Sequence, residues 1–152
     1  MPDNGFFSRR SLDVVQESTL PQCGRCGLWK GCQSPKMLPS GKGRRRILIV
    51  GEAPGRTADE KGKPFVGEAG QLLRESLRLA GVDPDRDCWI TNSIICRPSE
   101  NRTPTDKEIG YCRPNLSKTI RETDPDVIIL CGGVAINSLI GPAFGDSVGA
   151  AG

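Results

Sequence analysis

The fold class is decided by the stretch Ile-Leu-Ile-Val-Gly-Glu-Ala-Pro-Gly at residues 47–55. It begins with four consecutive apolar residues, three of them β-branched, which predict a strand buried on both faces of a parallel sheet. Gly51 ends this run, and a polar loop over 52–55 follows at the carboxyl end of the strand. In open α/β sheets, ligands bind beyond the carboxyl ends of the strands. We therefore interpret this loop as a candidate functional site.

Downstream, the chain alternates between helical and strand patterns. Pro114 lies inside one predicted helix and is expected to kink or split it, while a capping box at Thr105–Glu108 opens that helix. The alternation predicts a three-layer α/β/α sandwich around a central parallel sheet. The predicted strands are 47–50, 89–95 and 127–130, and the predicted helices are 67–80, 105–123 and 135–140.

Length and composition predict a single soluble domain. The chain has 152 residues, of which 36 % are hydrophobic and 26 % charged. No apolar run is long enough to cross a membrane, and we see no export signal. Three strands are few for such a sheet, so we expect the C-terminal strand to be missing. Within one domain over 1–152 we distinguish an irregular N-terminal segment (1–46), an α/β core (47–141) and a loose tail (142–152).

The ionisable residues exclude some functions and suggest a partner. Histidine is absent, which excludes a histidine base and an imidazole-ligated zinc site. Residues 1–50 hold nine Lys or Arg and three Asp or Glu, with Arg44–Arg46 as the densest basic run. A basic face suits an anionic partner such as nucleic acid, although the same run also fits a solvated loop before a strand.

The seven cysteines point to a reduced, cytoplasmic protein with a metal site, because their number is odd and no export signal is visible. Cys23 and Cys26 form a C-x-x-C pair, and Cys96 and Cys112 follow later. Four thiolates suit a tetrahedral zinc or an iron–sulfur cluster. Alternatively, Cys96 and Cys112 are simply small hydrophobic residues of the core. Cys32 is close enough to Cys26 to compete as a ligand. Of the other two, Cys88 and Cys131, we expect core positions.

Several polar and aromatic residues are candidates for binding or catalysis. Glu52 could orient a water molecule or stabilise a cationic transition state, or it could simply cap a turn. Phe65 could stack on a flat ligand or anchor the core. Asn92 offers an amide that can pair with a nucleobase edge. Arg97 and Arg102 could contact phosphates, or serve as ordinary surface charges.

Taken together, these residues resemble the iron–sulfur uracil-DNA glycosylases, usually called family 4. The resemblance covers residues 23 to about 141, and it rests on six motifs in order. They are Cys23-x-x-Cys26, GEAPG at 51–55, GKPFVGEAGQLL at 62–73, TN at 91–92, CRPSENR at 96–102 and Cys112.

The resemblance implies a uracil-DNA glycosylase fold and activity. The substrate would be uracil in DNA, which must be flipped out of the stack before its N-glycosidic bond is hydrolysed. Glu52 would be catalytic, whereas Phe65, Asn92 and the backbone at Ala53 would bind uracil. We expect a monomer that needs no membrane. The implied ligands of a [4Fe–4S] cluster, with zinc as the alternative metal, are Cys23, Cys26, Cys96 and Cys112.

Two departures from the family pattern keep other functions open. The chain has no histidine and ends before the family's C-terminal His-Pro-Ser motif, and Arg56–Ala58 stands where acidic residues are common. We interpret the ending as a truncation. The alternative is a short relative that binds uracil or DNA without cutting it. A redox protein built around the cluster and a zinc-ribbon domain are further alternatives.

Overall fold

A computed structural model describes residues 23–141. Residues 1–22 of the predicted N-terminal segment and the predicted tail, 142–152, lie outside the described residues. The elements in chain order are a 3-10 turn at Leu28–Gly31, β1 (Ile47–Gly51), α1 (Arg56–Lys61), α2 (Glu68–Leu79), β2 (Cys88–Asn92), a 3-10 turn at Ser99–Asn101, α3 (Asp106–Thr123), β3 (Val127–Leu130) and α4 (Gly133–Leu139).

The three strands form one parallel sheet in the order β2-β1-β3. In its middle strand, Ile49 pairs with Ile90 of β2 and Ile129 of β3. Because β1 has a neighbour on each side and helices above and below, Leu48, Ile49 and Val50 of its apolar run are fully buried. Parallel pairing also brings the carboxyl ends of all three strands to one edge, where the loops after β1 and β2 meet.

Helices cover both faces of the sheet. On one face, Leu48 and Val50 pack against apolar side chains of α3 and α4. On the other, Ile49 packs with Ile90 and is covered by Leu73 of α2. This arrangement confirms the predicted three-layer α/β/α class.

Three differences from the sequence prediction matter for the fold. β2 ends at Asn92 rather than at 95, because the N–H and the hydroxyl of Ser93 both donate to the Gly51 carbonyl, at 2.8 Å each, and turn the chain. α1 was not predicted, since its six residues are too few to show periodicity. α3 continues as one helix through the buried Pro114.

The start of α3 and the outer edge of β3 follow from local chemistry. The predicted capping box is present: Thr105 Oγ1 accepts from Glu108 N at 3.2 Å, and Glu108 Oε1 accepts from Thr105 N at 2.9 Å. Val127 and Ile129 of β3 are exposed, because within residues 23–141 the strand pairs only with β1. None of the helices in that range is long and apolar enough to span a bilayer.

Candidate active site and cysteine cavity

A cavity with a volume of about 420 Å³ opens at the carboxyl edge of the sheet. It lies between the loop after β1, the start of α2 and the end of β2. Four residues selected from the sequence line it together: Glu52, Ala53, Phe65 and Asn92. They are separated by up to 40 positions along the chain, and the parallel sheet brings them together.

Gly51 sets the distance between the aromatic ring and the amide of this cavity. It pairs in register with Asn92, the last residue of β2. A Cβ at this position would lie 2.3 Å from Phe65 Cζ and 2.6 Å from Asn92 Oδ1. Both side chains therefore pack directly against the α-carbon of Gly51, and any other residue here would force them apart.

The carboxylate of Glu52 stands at the mouth of the cavity. The residue as a whole is exposed, yet partial burial of the carboxyl raises its pKa above the ordinary value. Its backbone is fixed, because the Glu52 carbonyl accepts from Ile94 N at 3.0 Å. Glu52 thus lines the same cavity as Asn92 and Phe65, from a backbone that is hydrogen-bonded to the chain after β2.

The cavity also has polar lining residues that sequence reasoning did not select. Arg56 and Glu68 are the first residues of α1 and α2, and Asn101 lies in the loop before α3. Asn101 was inside the quoted CRPSENR motif, which is the signal that could have identified it. Its Oδ1 accepts from Arg97 Nε at 2.7 Å, so Arg97 orients this amide.

The arginines expected to contact DNA have intramolecular partners. Arg102 forms a two-pronged ion pair with Glu108, at 2.7 and 2.8 Å. This guanidinium lowers the pKa of Glu108 to about 2.

The basic run Arg44–Arg46 precedes β1 along the chain. Within it, Arg46 pairs with Asp124 and Asp126. The run therefore lies at the amino end of the sheet, opposite the cavity.

A second, much smaller cavity brings four cysteines together. Two come from the N-terminal turn, one follows β2 and one lies on α3. Trp29 and Tyr111 also contribute to its lining. The cysteines are those predicted as metal ligands, namely Cys23, Cys26, Cys96 and Cys112.

Nitrogen donors contact the sulfur atoms of Cys23, Cys96 and Cys112. Lys36 N donates to Cys96 Sγ at 3.2 Å, and Asn115 Nδ2 reaches Cys23 Sγ at 3.5 Å and Cys112 Sγ at 3.7 Å. Burial is the main cause that raises the pKa of Cys96 to about 11 and of Cys112 to about 12. Among the described residues, no group of three or more His, Cys, Asp or Glu side chains is arranged to hold a single metal ion.

The other three cysteines lie outside that cavity. Cys88 is fully buried in β2, and Cys131 packs beside the same apolar cluster. Cys32, the possible competing ligand, directs its thiol to the carbonyl oxygens of Leu28 and Arg97, at 3.2 and 3.4 Å. Its contacts thus tie the N-terminal turn to the loop after Cys96.

Comparison with known protein families shows which family this chain belongs to. The sequence profile described as "Uracil DNA glycosylase superfamily" matches residues 38–150, which is most of the chain. The chain belongs to the uracil DNA glycosylase superfamily. The family predicted from the sequence motifs is thereby confirmed.

Curated relatives within the superfamily carry a narrower name. The chain is 36 % identical over 135 residues to the type-4 uracil-DNA glycosylase of Thermotoga maritima, covering 89 % of this chain and 69 % of the relative. Identity is 37 % over 123 residues with that of Saccharolobus solfataricus and 42 % over 123 residues with that of Pyrobaculum aerophilum. These matches cover 80 % of this chain but only 56 % and 61 % of the two relatives. The chain therefore spans little more than half the length of some superfamily members.

Proposed function

We propose that this protein is a DNA glycosylase that hydrolyses the N-glycosidic bond of uracil in DNA and so begins base-excision repair. The observation that carries the proposal is the meeting of Glu52, Phe65 and Asn92 in one cavity around Gly51. The relatives named type-4 uracil-DNA glycosylases support the same activity.

The cavity suits a base that has been flipped out of the DNA stack. Its volume is in the range of small-molecule sites, which are about 300–1,000 Å³. Phe65 presents an aromatic face for stacking, and Asn92 presents an amide with both a donor and an acceptor. This amide can pair with the N3 and O4 edge of uracil, whereas cytosine presents the reversed pattern. Backbone groups at Ala53 would complete the contacts with the base.

The chemistry assigned to Glu52 follows from its charge and position. Cleavage of an N-glycosidic bond passes through an oxocarbenium-like sugar, which carries positive charge. A carboxylate at the mouth of the cavity can stabilise that charge and orient the attacking water. The bond between the sugar and the uracil nitrogen breaks, and uracil leaves as an anion with the electron pair. Water adds its hydroxyl to the sugar carbon, and the proton that water loses neutralises the uracil anion. The Asn92 amide would stabilise the departing base by hydrogen bonding.

We infer that Cys23, Cys26, Cys96 and Cys112 hold a [4Fe–4S] cluster, with zinc as the alternative. Their common cavity and the N–H donors at their sulfur atoms support this ligand set, since such donors stabilise thiolates and clusters. When bound, the cluster would join the N-terminal turn, the loop after β2 and α3. Its proposed contribution is structural, because the loop after β2 also supplies Asn101 to the cavity of Glu52.

DNA is the proposed macromolecular partner, and the protein is proposed to act as a monomer. Arg97 and Arg102 belong to the loop that reaches the cavity through Asn101. A guanidinium has five N–H donors, so donors remain beyond those directed to Asn101 and Glu108. We propose that these remaining donors contact the DNA backbone, which would make affinity fall with salt.

The direct test uses an oligonucleotide with a single uracil, hot alkali and detection of strand cleavage at that position. We expect cleavage by the chain as it stands, and loss of cleavage in Glu52→Ala and Asn92→Ala. Glu75→Ala is the matched control, since Glu75 is an exposed carboxylate on α2 outside the cavity. Binding of this DNA without release of uracil would favour the inactive binding module and overturn the proposed activity.

A further inference from the structure

We propose that Arg74 is a positioning residue that holds Phe65 in the conformation needed for base stacking. The inference rests on the proposed function, in which Phe65 contacts the base. Arg74 is a buried residue of α2 and does not line the cavity itself. We infer that it nevertheless controls the shape of the cavity wall.

The backbone of Phe65 requires such support. Its φ angle is +58°, in the left-handed region that non-glycine residues rarely adopt. A bulky aromatic residue persists there only when surrounding contacts over-determine the conformation. Residues of this kind cluster at functional sites, where the backbone must direct a side chain that regular structure would turn away.

Arg74 supplies the contacts. Its Nε donates to the Phe65 carbonyl at 2.7 Å, and its Nη2 donates to the Pro64 carbonyl at 3.2 Å. Its Nη1 donates to Asp85 Oδ1 at 2.7 Å, and the residue is only 6 % exposed. One planar guanidinium thus binds the carbonyls on both sides of Phe65 N and anchors them to the loop before β2. Lysine lacks this rigid fork and cannot reproduce the three directions at once.

Helix α2 fixes the same segment from a second position. Gly70 lies one turn before Arg74, on the same side of the helix. A Cβ on Gly70 would lie 2.3 Å from the carbonyl carbon of Phe65, so the surface of the helix packs directly against the Phe65 backbone. Gly70 therefore provides the close approach and Arg74 the hydrogen bonds, while Gly51 receives the ring on the far side.

The consequence is that the stacking face is ordered before the base arrives. Without Arg74, the Phe65 backbone would relax toward an ordinary conformation and carry the ring away from Asn92. The base would then have to reorder the ring when it binds, which lowers the rate at low substrate concentration. A merely structural arginine would instead lower thermal stability without a specific dependence on Phe65.

A double-mutant cycle in kcat/KM on uracil-containing DNA separates these roles. Phe65→Ala should lower kcat/KM by about tenfold to a hundredfold, the usual effect of losing a stacking side chain. Arg74→Lys should lower it by about tenfold in the parent protein and by less than about twofold in the Phe65→Ala background. Equal losses in both backgrounds would overturn the proposal. If Arg74→Lys does not fold, Asp85→Asn replaces it, since this removes only the outer anchor and should show the same dependence on Phe65.

A readout without catalysis distinguishes failure of this inference from failure of the proposed function. With 4-fluorophenylalanine in place of the four phenylalanines, the Phe65 signal is assigned by its loss in Phe65→Leu. Arg74→Lys should shift or broaden that signal. Arg113→Lys is the control and should leave the signal unchanged. Arg113 is a partly buried arginine that donates to a backbone carbonyl, that of Ser138. If the signal is unchanged in Arg74→Lys, Arg74 does not position Phe65 and the inference is overturned. If the signal changes in Arg74→Lys but the parent protein does not cleave uracil, only the proposed glycosylase function is overturned.

Discussion

The carboxylate of Asp59 accepts a hydrogen bond of 2.9 Å from the backbone N–H of Ser34. Its second oxygen accepts from the N–H of Gln33 at 3.1 Å, and the residue is only 3 % exposed. Asp59 lies on α1, directly after the loop that carries Glu52, whereas Ser34 follows the N-terminal cysteines. One buried carboxylate therefore joins α1, whose first residues line the cavity of Glu52, to the segment that lines the cysteine cavity.

Replacement of Asp59 by alanine should destabilise the protein. The change leaves two backbone N–H groups without their charged acceptor, and each such bond contributes about 1.5–3 kcal/mol. We expect the free energy of unfolding, measured with urea, to fall by at least about 2 kcal/mol. Glu60→Ala is the control: its ion pair with Arg56 is exposed, so the change should cost less than about 0.5 kcal/mol. Equal effects of the two changes would contradict the assigned link.

Gly51→Ala should abolish most uracil cleavage, because the new methyl group would overlap both Phe65 and Asn92. We expect kcat/KM to fall by at least about a hundredfold, as for a misplacement of contact groups by roughly 1 Å. Gly110→Ala is the control, since Gly110 lies on α3 outside the cavity and a Cβ there meets nothing within 4 Å. If Gly51→Ala cleaves as well as Gly110→Ala, the packing around Gly51 does not control the site.

The loss of activity at acidic pH should follow the protonation of Glu52. Burial disfavours the charged carboxylate and raises its pKa, and the proposed chemistry uses the charged form. Activity should therefore fall as pH decreases through a midpoint above the ordinary glutamate pKa of about 4.3. The measurement is kcat/KM against pH, with circular dichroism at each pH to verify folding. A midpoint at or below the ordinary value would show that Glu52 is not the titrating group.

Acid should weaken the start of α3 through Glu108. Pairing with Arg102 lowers the folded-state pKa of Glu108 to about 2, below the unfolded value of about 4.3. The stabilisation is therefore present above pH 4.3 and is lost as pH falls toward 2. Glu108→Gln should be less stable than the parent at pH 7, and the difference should shrink at pH 3. Urea unfolding at both pH values tests this, and an equal difference at the two would contradict it.

Removal of a proposed cluster ligand should remove the metal signature. We expect the purified protein to contain iron and to absorb near 400 nm, and Cys112→Ser to lose both. Cys131→Ser is the matched control, because Cys131 packs beside the core, outside the cysteine cavity. Zinc without visible absorbance would select the alternative metal. Iron retained in Cys112→Ser would exclude Cys112 as a ligand.

Local sequence patterns were enough to predict most of the scaffold. The buried run before Gly51 predicted the central strand, since strong hydrophobicity specifies burial whatever the partners are. The capping box at Thr105 predicted the start of α3 because all its hydrogen bonds lie within four residues. Family motifs also selected Glu52, Phe65 and Asn92, which the structure brings to one cavity.

The sequence alone could not predict contacts that depend on how loops and helices pack against one another. Nothing local marks Asp59 as the acceptor for Ser34, or Arg74 as the donor to Phe65, since an acidic or basic residue on a helix usually faces solvent. The pairing of Arg102 with Glu108 likewise appears only when the loop folds onto α3. The sequence by itself determined which elements form and which chemical groups the site contains. Tertiary structure alone decided how those groups are held, because their geometry depends on side chains and carbonyls that meet only in the packed fold.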